Sequence, residues 1–111
     1  MDEKVVEQSM EIITYSGNGR AMVIDALKDM LVTGDVAKAR EQVAAGGKEI
    51  GEAHLMQTEL ISAECDGKEV EKSVLLIHAQ DHFMTALAVR DMASLMIDMY
   101  EKLSKQMGEN K

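Results

Sequence analysis

The chain has 111 residues and a formal net charge of −8, with 46% hydrophobic residues, 3% aromatic residues and no proline. The acidic balance argues against a protein that binds nucleic acid or an anionic membrane surface, because both partners require a basic footprint. No apolar run approaches the roughly 20 residues that cross a bilayer, and the first residues lack the basic and apolar blocks of a signal peptide, so we expect a cytoplasmic protein without direct membrane insertion.

Strong helix formers throughout the chain and the absence of proline predict an all-α fold, and the length predicts a single domain over residues 1–111. Glycine-bearing turns at Gly34 and Gly67 divide the chain into three helices, over about residues 3–31, 36–64 and 68–106. Asp2 and Asp35 are suited to N-caps, and Gly34 is suited to a left-handed C-cap.

The first two helices each carry an apolar stripe with helical spacing. In the first helix the large apolar residues predict a stripe of Val6, Met10, Ile13, Ile24, Leu27 and Leu31, interrupted by Ser16-Gly17-Asn18-Gly19. Two glycines in that interruption indicate a kink or the close approach of a neighbour. The stripe of the second helix consists mainly of small residues, which permit close helix packing: Val36, Ala39, Val43, Gly46, Ile50, Ala53, Gln57 and Leu60.

The third helix carries two seams, and a helix with two seams must be covered on two sides. The first seam runs through Leu75, Ala79, His82, Ala86, Val89, Ala93, Met96, Tyr100, Leu103 and Met107. The second seam lies roughly 90° away around the helix axis and runs through Val74, His78, Asp81, Thr85, Ala88, Met92, Leu95 and Met99. Because the bundle covers one seam, we expect the third helices of several copies to pack together around a symmetry axis.

Two imidazoles and a carboxylate lie within this apolar helix, at His78, Asp81 and His82. Ionisable groups in a buried helix are costly unless they are paired or used, so this cluster is the candidate functional site. In one interpretation His78 is a nucleophile that takes a phosphoryl group on a ring nitrogen, with His82 as a donor to the phosphate.

Two other interpretations compete with the nucleophile. Histidines four residues apart on a helix are a known metal-ligand spacing, which His54 could complete from the second helix in a non-catalytic metal-binding bundle. Alternatively, the histidines are hydrogen-bonded core residues without chemistry. The spacing by itself leaves all three interpretations open.

Two longer motifs give the chain a family resemblance. The segments Glu52-Ala53-His54-Leu55-Met56-Gln57-Thr58 and Val74-Leu75-Leu76-Ile77-His78-Ala79-Gln80-Asp81-His82-Phe83-Met84-Thr85 resemble the lactose/cellobiose-type enzyme IIA of the bacterial sugar phosphotransferase system, in detail its cellobiose/chitobiose branch. The patch Ser16-Gly17-Asn18-Gly19-Arg20-Ala21 and the Gly34-Asp35 turn are also similar to that family. Phe83 departs from the family pattern, where an aliphatic residue is commoner, and this departure predicts an altered pocket shape.

The resemblance implies a phosphoryl carrier. His78 would be phosphorylated by HPr on its tele nitrogen, Nε2, and would pass the group to a cysteine of a cognate IIB, while the IIC permease delivers a β-linked disaccharide such as cellobiose, chitobiose or lactose. Gln80 and His82 align with residues that flank this site. A two-component histidine phosphotransfer domain fits less well, because it usually carries Lys and Gly just after the histidine, unlike Ala79-Gln80-Asp81.

The resemblance also implies an assembly. The family fold is an up-down-up three-helix bundle that forms a homotrimer, with the third helices near the three-fold axis. Asp81 aligns with the carboxylate that gathers on that axis around a divalent cation such as Mg²⁺. Three buried carboxylates would repel one another without a counter-ion, which agrees with this expectation.

Overall fold

A computed structural model describes residues 1–109 of the chain, apart from the side chain of Glu109. Three α-helices account for almost all of it: α1 (Glu3–Thr33), α2 (Val36–Cys65) and α3 (Val74–Glu109). They form an elongated up-down-up bundle that measures 63 × 22 × 19 Å. The predicted all-α three-helix fold is therefore confirmed. Within residues 1–109, no helix is both long enough and apolar enough to cross a membrane.

The helix ends follow the predicted capping residues. Asp2 accepts a hydrogen bond from the backbone N–H of Lys4, and Asp35 accepts one from Lys38. Gly34 has a φ of 74° and donates its N–H to the carbonyl of Met30, which closes α1 in the left-handed conformation that glycine adopts without strain.

The third helix begins six residues later than predicted, at Val74 instead of Lys68. The N–H groups of Gly67 and Lys68 bond back to the carbonyls of Glu64 and Ala63, so this backbone terminates α2 and cannot start a new helix. Ser73 then caps α3, because its Oγ accepts the N–H of Leu76 at 3.1 Å.

The core of α1 lies on different residues from the predicted stripe. The buried positions of this helix are Val5, Ser9, Ile12, Ser16, Gly19, Val23, Ala26 and Met30. Small residues, Ser16 and Gly19, occupy the middle of this face because α1 and α2 cross closely there: a Cβ on Gly19 would lie 2.6 Å from the carbonyl oxygen of Gly46. Of the six residues of the predicted stripe, four are partly buried, and Met10 and Leu31 are exposed. The stripe of α2, by contrast, is confirmed at six of its eight positions.

The core of α3 coincides with the first predicted seam only in part, and Leu76, Phe83 and Ile97 lie in neither seam. The buried residues are Leu76, Ala79, Phe83, Ala86, Ala93 and Ile97, which share three members with the first seam. Every residue of the second seam is exposed in the single chain. The bundle therefore leaves the outward face of α3 uncovered, as the two-seam pattern predicts.

Candidate functional site

The cap at Ser73 determines where the histidine cluster lies on α3. Because the helix begins at Val74, His78 falls in its second turn and His82 in its third. Their spacing of four residues brings the side chains together on one flank of the helix. The ring centroids are 4.6 Å apart and the ring planes meet at 80°, in an edge-to-face arrangement.

The cluster is not buried by its own bundle, contrary to the sequence prediction. His78 and Asp81 are exposed and His82 is partly buried. Within residues 1–109, neither ring nitrogen of His78 takes part in a hydrogen bond. The imidazole is therefore open to a reagent that approaches from outside the chain.

Asp81 lies roughly 60° around the helix from His78, on the outward face of α3. Its carboxylate makes no ion pair or hydrogen bond with any other residue among 1–109. The hydroxyl of Thr85, a candidate phosphate donor on the His78 row, instead donates to the backbone carbonyl of Asp81 at 2.6 Å. That hydroxyl proton is thus already engaged.

Gln80 lies on the opposite flank of α3, against α2. Two residues turn the helix by about 200°, so Gln80 and His78 of one chain point to different sides. Gln57 of α2 donates from Nε2 to Oε1 of Gln80 at 2.5 Å. The sequence predicts no role for Gln57. The one hint of a role is that Gln57 lies in the same family-like motif as His54.

His54 does not join the histidine pair. It is exposed on α2, and its ring centroid lies 5.5 Å from that of Phe83. Phe83 itself is 1% exposed and belongs to the core, so it acts through packing beneath the site, and the change in pocket shape stays a prediction. Within residues 1–109, no three His, Cys, Asp or Glu side chains are close enough to hold a metal ion.

Two grooves in the described part of the chain lie away from His78. One runs between α1 and α2 past Met22 and Gln42, and another runs between α2 and α3 past Arg40 and Arg90. His78 lines neither groove. The His78 ring therefore lies on an open surface of the single chain, and only a second protein or a second copy could enclose it.

Comparisons with known proteins identify the family to which the chain is similar. The family described as PTS system, Lactose/Cellobiose specific IIA subunit matches residues 7–101. The lichenan-specific phosphotransferase enzyme IIA component of Bacillus subtilis (strain 168) is 39% identical over 108 residues, which are 97% of each chain.

Solved structures give the same result. The crystal structure of the PTS cellobiose-specific enzyme IIA from Bacillus anthracis is 41% identical, with a TM-score of 0.86 over 95% of each chain. The IIA(Chitobiose) protein, solved in complex with HPr from the N,N'-diacetylchitobiose branch of the Escherichia coli phosphotransferase system, is 34% identical. Its TM-score is 0.76 over 90% of this chain and 96% of that one. The match over most of the length, in sequence and in fold, shows that the chain belongs to the lactose/cellobiose-specific IIA family of the phosphotransferase system.

Proposed function

We propose that this IIA protein carries a phosphoryl group on Nε2 of His78, takes it from HPr and passes it to a cysteine of a cognate IIB. The observation that carries the proposal is the exposed imidazole of His78, which has no hydrogen-bond partner among residues 1–109 and whose ring centroid lies 4.6 Å from that of His82. Family membership and the relative solved with HPr support the same role. They favour it over a non-catalytic metal-binding bundle, for which residues 1–109 of a single chain offer no set of three ligands.

The chemistry balances as two transfers of one phosphoryl group. In the first, the lone pair of Nε2 of His78 forms a P–N bond while the bond from phosphorus to the donor breaks. In the second, the IIB thiolate forms a P–S bond, the P–N bond breaks and its electron pair returns to the imidazole. His82 can donate a ring N–H to a phosphate oxygen, and it needs only to position and neutralise charge.

The sugar follows from the partners. The relatives are named for lichenan, lactose and N,N'-diacetylchitobiose, which points to a β-linked disaccharide whose identity IIB and IIC select.

Cys65 is a free, exposed thiol, as expected for a protein of the reducing cytoplasm.

We propose that the working form is a homotrimer with α3 near the three-fold axis. The described part of α3 exposes nine large apolar side chains: Val74, Ile77, Met84, Met92, Leu95, Met96, Met99, Leu103 and Met107. The accessible surface is 7261 Å², whereas a compact monomer of this mass exposes about 6,100 Å². Nine large apolar side chains exposed on one helix of a monomer indicate an interface.

A divalent cation fits the chemistry of Asp81. Carboxylate oxygens are the ligands that Mg²⁺ prefers, and the Asp81 carboxylate has no partner among residues 1–109. One chain offers a single carboxylate, so three copies would have to share the ion. A bound Mg²⁺ would supply positive charge on the axis, and Asp81 would hold it there.

A phosphorylation assay tests the proposal. Wild-type protein incubated with phosphorylated HPr should gain the mass of one phosphoryl group, as an acid-labile and base-stable adduct on His78. The His78→Ala variant should gain none, while His54→Ala, a matched change of an exposed histidine on α2, should label normally. Labelling of His78→Ala would place the site on another residue.

A further inference from the structure

One contact near the site is not used by the proposed transfer, the hydrogen bond between Gln57 and Gln80. It joins two side chains 23 residues apart in the chain, one on each helix, at 2.5 Å in a partly buried position. A glutamine side chain that is held at one end loses its rotational freedom, so its other end points in a defined direction.

The polarity of this contact decides what Gln80 offers to the outside. Its Oε1 accepts from Gln57, and its Nε2 has no acceptor among residues 1–109. The group that remains is therefore an amide donor. Phosphate oxygens require donors, and a carbonyl in the same place would repel them.

Gln80 cannot serve the phosphate of its own chain, because it lies on the flank of α3 opposite to His78. The two residues are nevertheless at nearly the same height, about 3 Å apart along the helix axis. In a closed ring of three copies, one flank of each α3 faces the opposite flank of the next copy. The His78 flank of one copy then faces the Gln80 flank of its neighbour at that height.

We infer that Gln57 is a positioning residue, which holds Gln80 so that its amide donates to the phosphate on His78 of the neighbouring copy. This inference rests on the proposed function and on the trimer. It assigns a role to Gln57, which touches no phosphate itself, and it makes each site incomplete without the next copy. The step involves no change of covalent bonds beyond the two transfers described above.

Reversing the polarity of the contact provides the test. In Gln57→Glu the side chain at 57 offers only acceptors, so the Gln80 amide should rotate and present its carbonyl to the phosphate. We expect the rate of transfer from HPr to fall by about tenfold or more, which is the range for loss of one hydrogen bond to a charged group. Gln57→Met removes the donor without reversing it, and it should give a smaller loss.

Two controls separate positioning from a structural role. Thr58→Glu adds the same charge one residue further along α2 and should transfer at the wild-type rate. In a Gln80→Leu background, Gln57→Glu should cause no further loss, because the residue that it orients is gone. Equal losses in both backgrounds, or a wild-type rate in Gln57→Glu with unchanged melting and assembly, would overturn the inference.

Mixed trimers test whether Gln80 acts across copies. His78→Ala chains carry no acceptor, and Gln80→Leu chains should be slow, but co-assembly gives some copies both His78 and a neighbour's Gln80. We expect the transfer rate per His78 to rise on mixing; no rise would contradict the arrangement between copies. If wild-type protein is not labelled on His78 at all, the proposed function fails, whereas normal labelling with unaffected Gln57 variants refutes only this inference.

Discussion

His78 and His82 pack edge to face on successive turns of α3, with their ring centroids 4.6 Å apart. The His78 ring is exposed to solvent, whereas the His82 ring is partly buried against the bundle. This asymmetry supports the proposed roles, His78 as the nucleophile and His82 as the stabilising donor.

Replacement of His82 should therefore slow phosphoryl transfer without abolishing it. We expect His82→Ala to retain some labelling of His78 and to slow onward transfer to IIB by about 10²-fold, within the range for one donor to developing charge. Rapid-quench measurements of both half-reactions would give the two rates. Thr85→Val is the matched control, because its hydroxyl is already bonded to the carbonyl of Asp81. Unchanged rates in His82→Ala would remove this residue from the mechanism.

Loss of the Asp81 carboxylate should change how the assembly responds to metal. In wild-type protein, a chelator should lower the melting temperature of the trimer by several degrees, because three carboxylates near one axis repel when the cation leaves. Asp81→Leu should melt at the same temperature with and without chelator. Asp91→Leu, an exposed change on the flank of α3, should keep the wild-type response. An Asp81→Leu trimer that still responds to chelator would place the cation elsewhere.

A charge on the outward face of α3 should separate the copies. Leu95 is 56% exposed in the single chain, and burying an unpaired guanidinium at this position in an interface costs several kcal/mol. We expect Leu95→Arg to give a folded monomer by light scattering and circular dichroism. Val32→Arg, at an 86% exposed position at the end of α1, should leave the assembly as it is. A trimeric Leu95→Arg protein would rule out this face as the interface.

The crossing of α1 and α2 should tolerate no side chain at Gly19. A Cβ there would lie 2.5 Å from Cγ1 of Ile50 and 2.6 Å from the carbonyl of Gly46, so the helices would have to separate. We expect Gly19→Ala to lower the free energy of unfolding by about 1–3 kcal/mol in denaturant titrations.

Gly17→Ala is the control for helix propensity, since a Cβ at this position would meet nothing within 4 Å. It should raise stability by about 0.5–1 kcal/mol, because alanine loses less backbone freedom than glycine in a helix. Equal stability of the two variants would show that the crossing is looser than the structure indicates.

The accuracy of the sequence predictions depended on how local each interaction is. The caps at Asp2, Gly34 and Asp35 were predicted correctly, because each acts within a few residues of its own position. The start of α3 was placed too early, since no glycine or proline marks residues 68–73. Only the hydrogen bonds that close α2 at Lys68 and open α3 at Ser73 define that boundary.

The α1 stripe was misplaced for a related reason. The spacing of the large apolar residues predicts a core on their side of the helix, whereas the close crossing at Gly19 and Gly46 selects small residues such as Ser16 for the middle of the inner face. Residue size at a helix contact depends on how near the partner helix comes, and that distance is not encoded in the spacing of one helix.

By itself, the sequence determined three helices, an apolar third helix with more than one covered face and a histidine pair one turn apart, because helical periodicity fixes which residues share a face. Only the tertiary structure decided which residues of α3 form the core, that His78 is exposed and that Gln57 holds Gln80 on the opposite flank. These features depend on which faces the neighbouring helices cover. Contacts between residues as far apart in the chain as Gln57 and Gln80, 23 positions, are set by the packing of helices and not by local pattern.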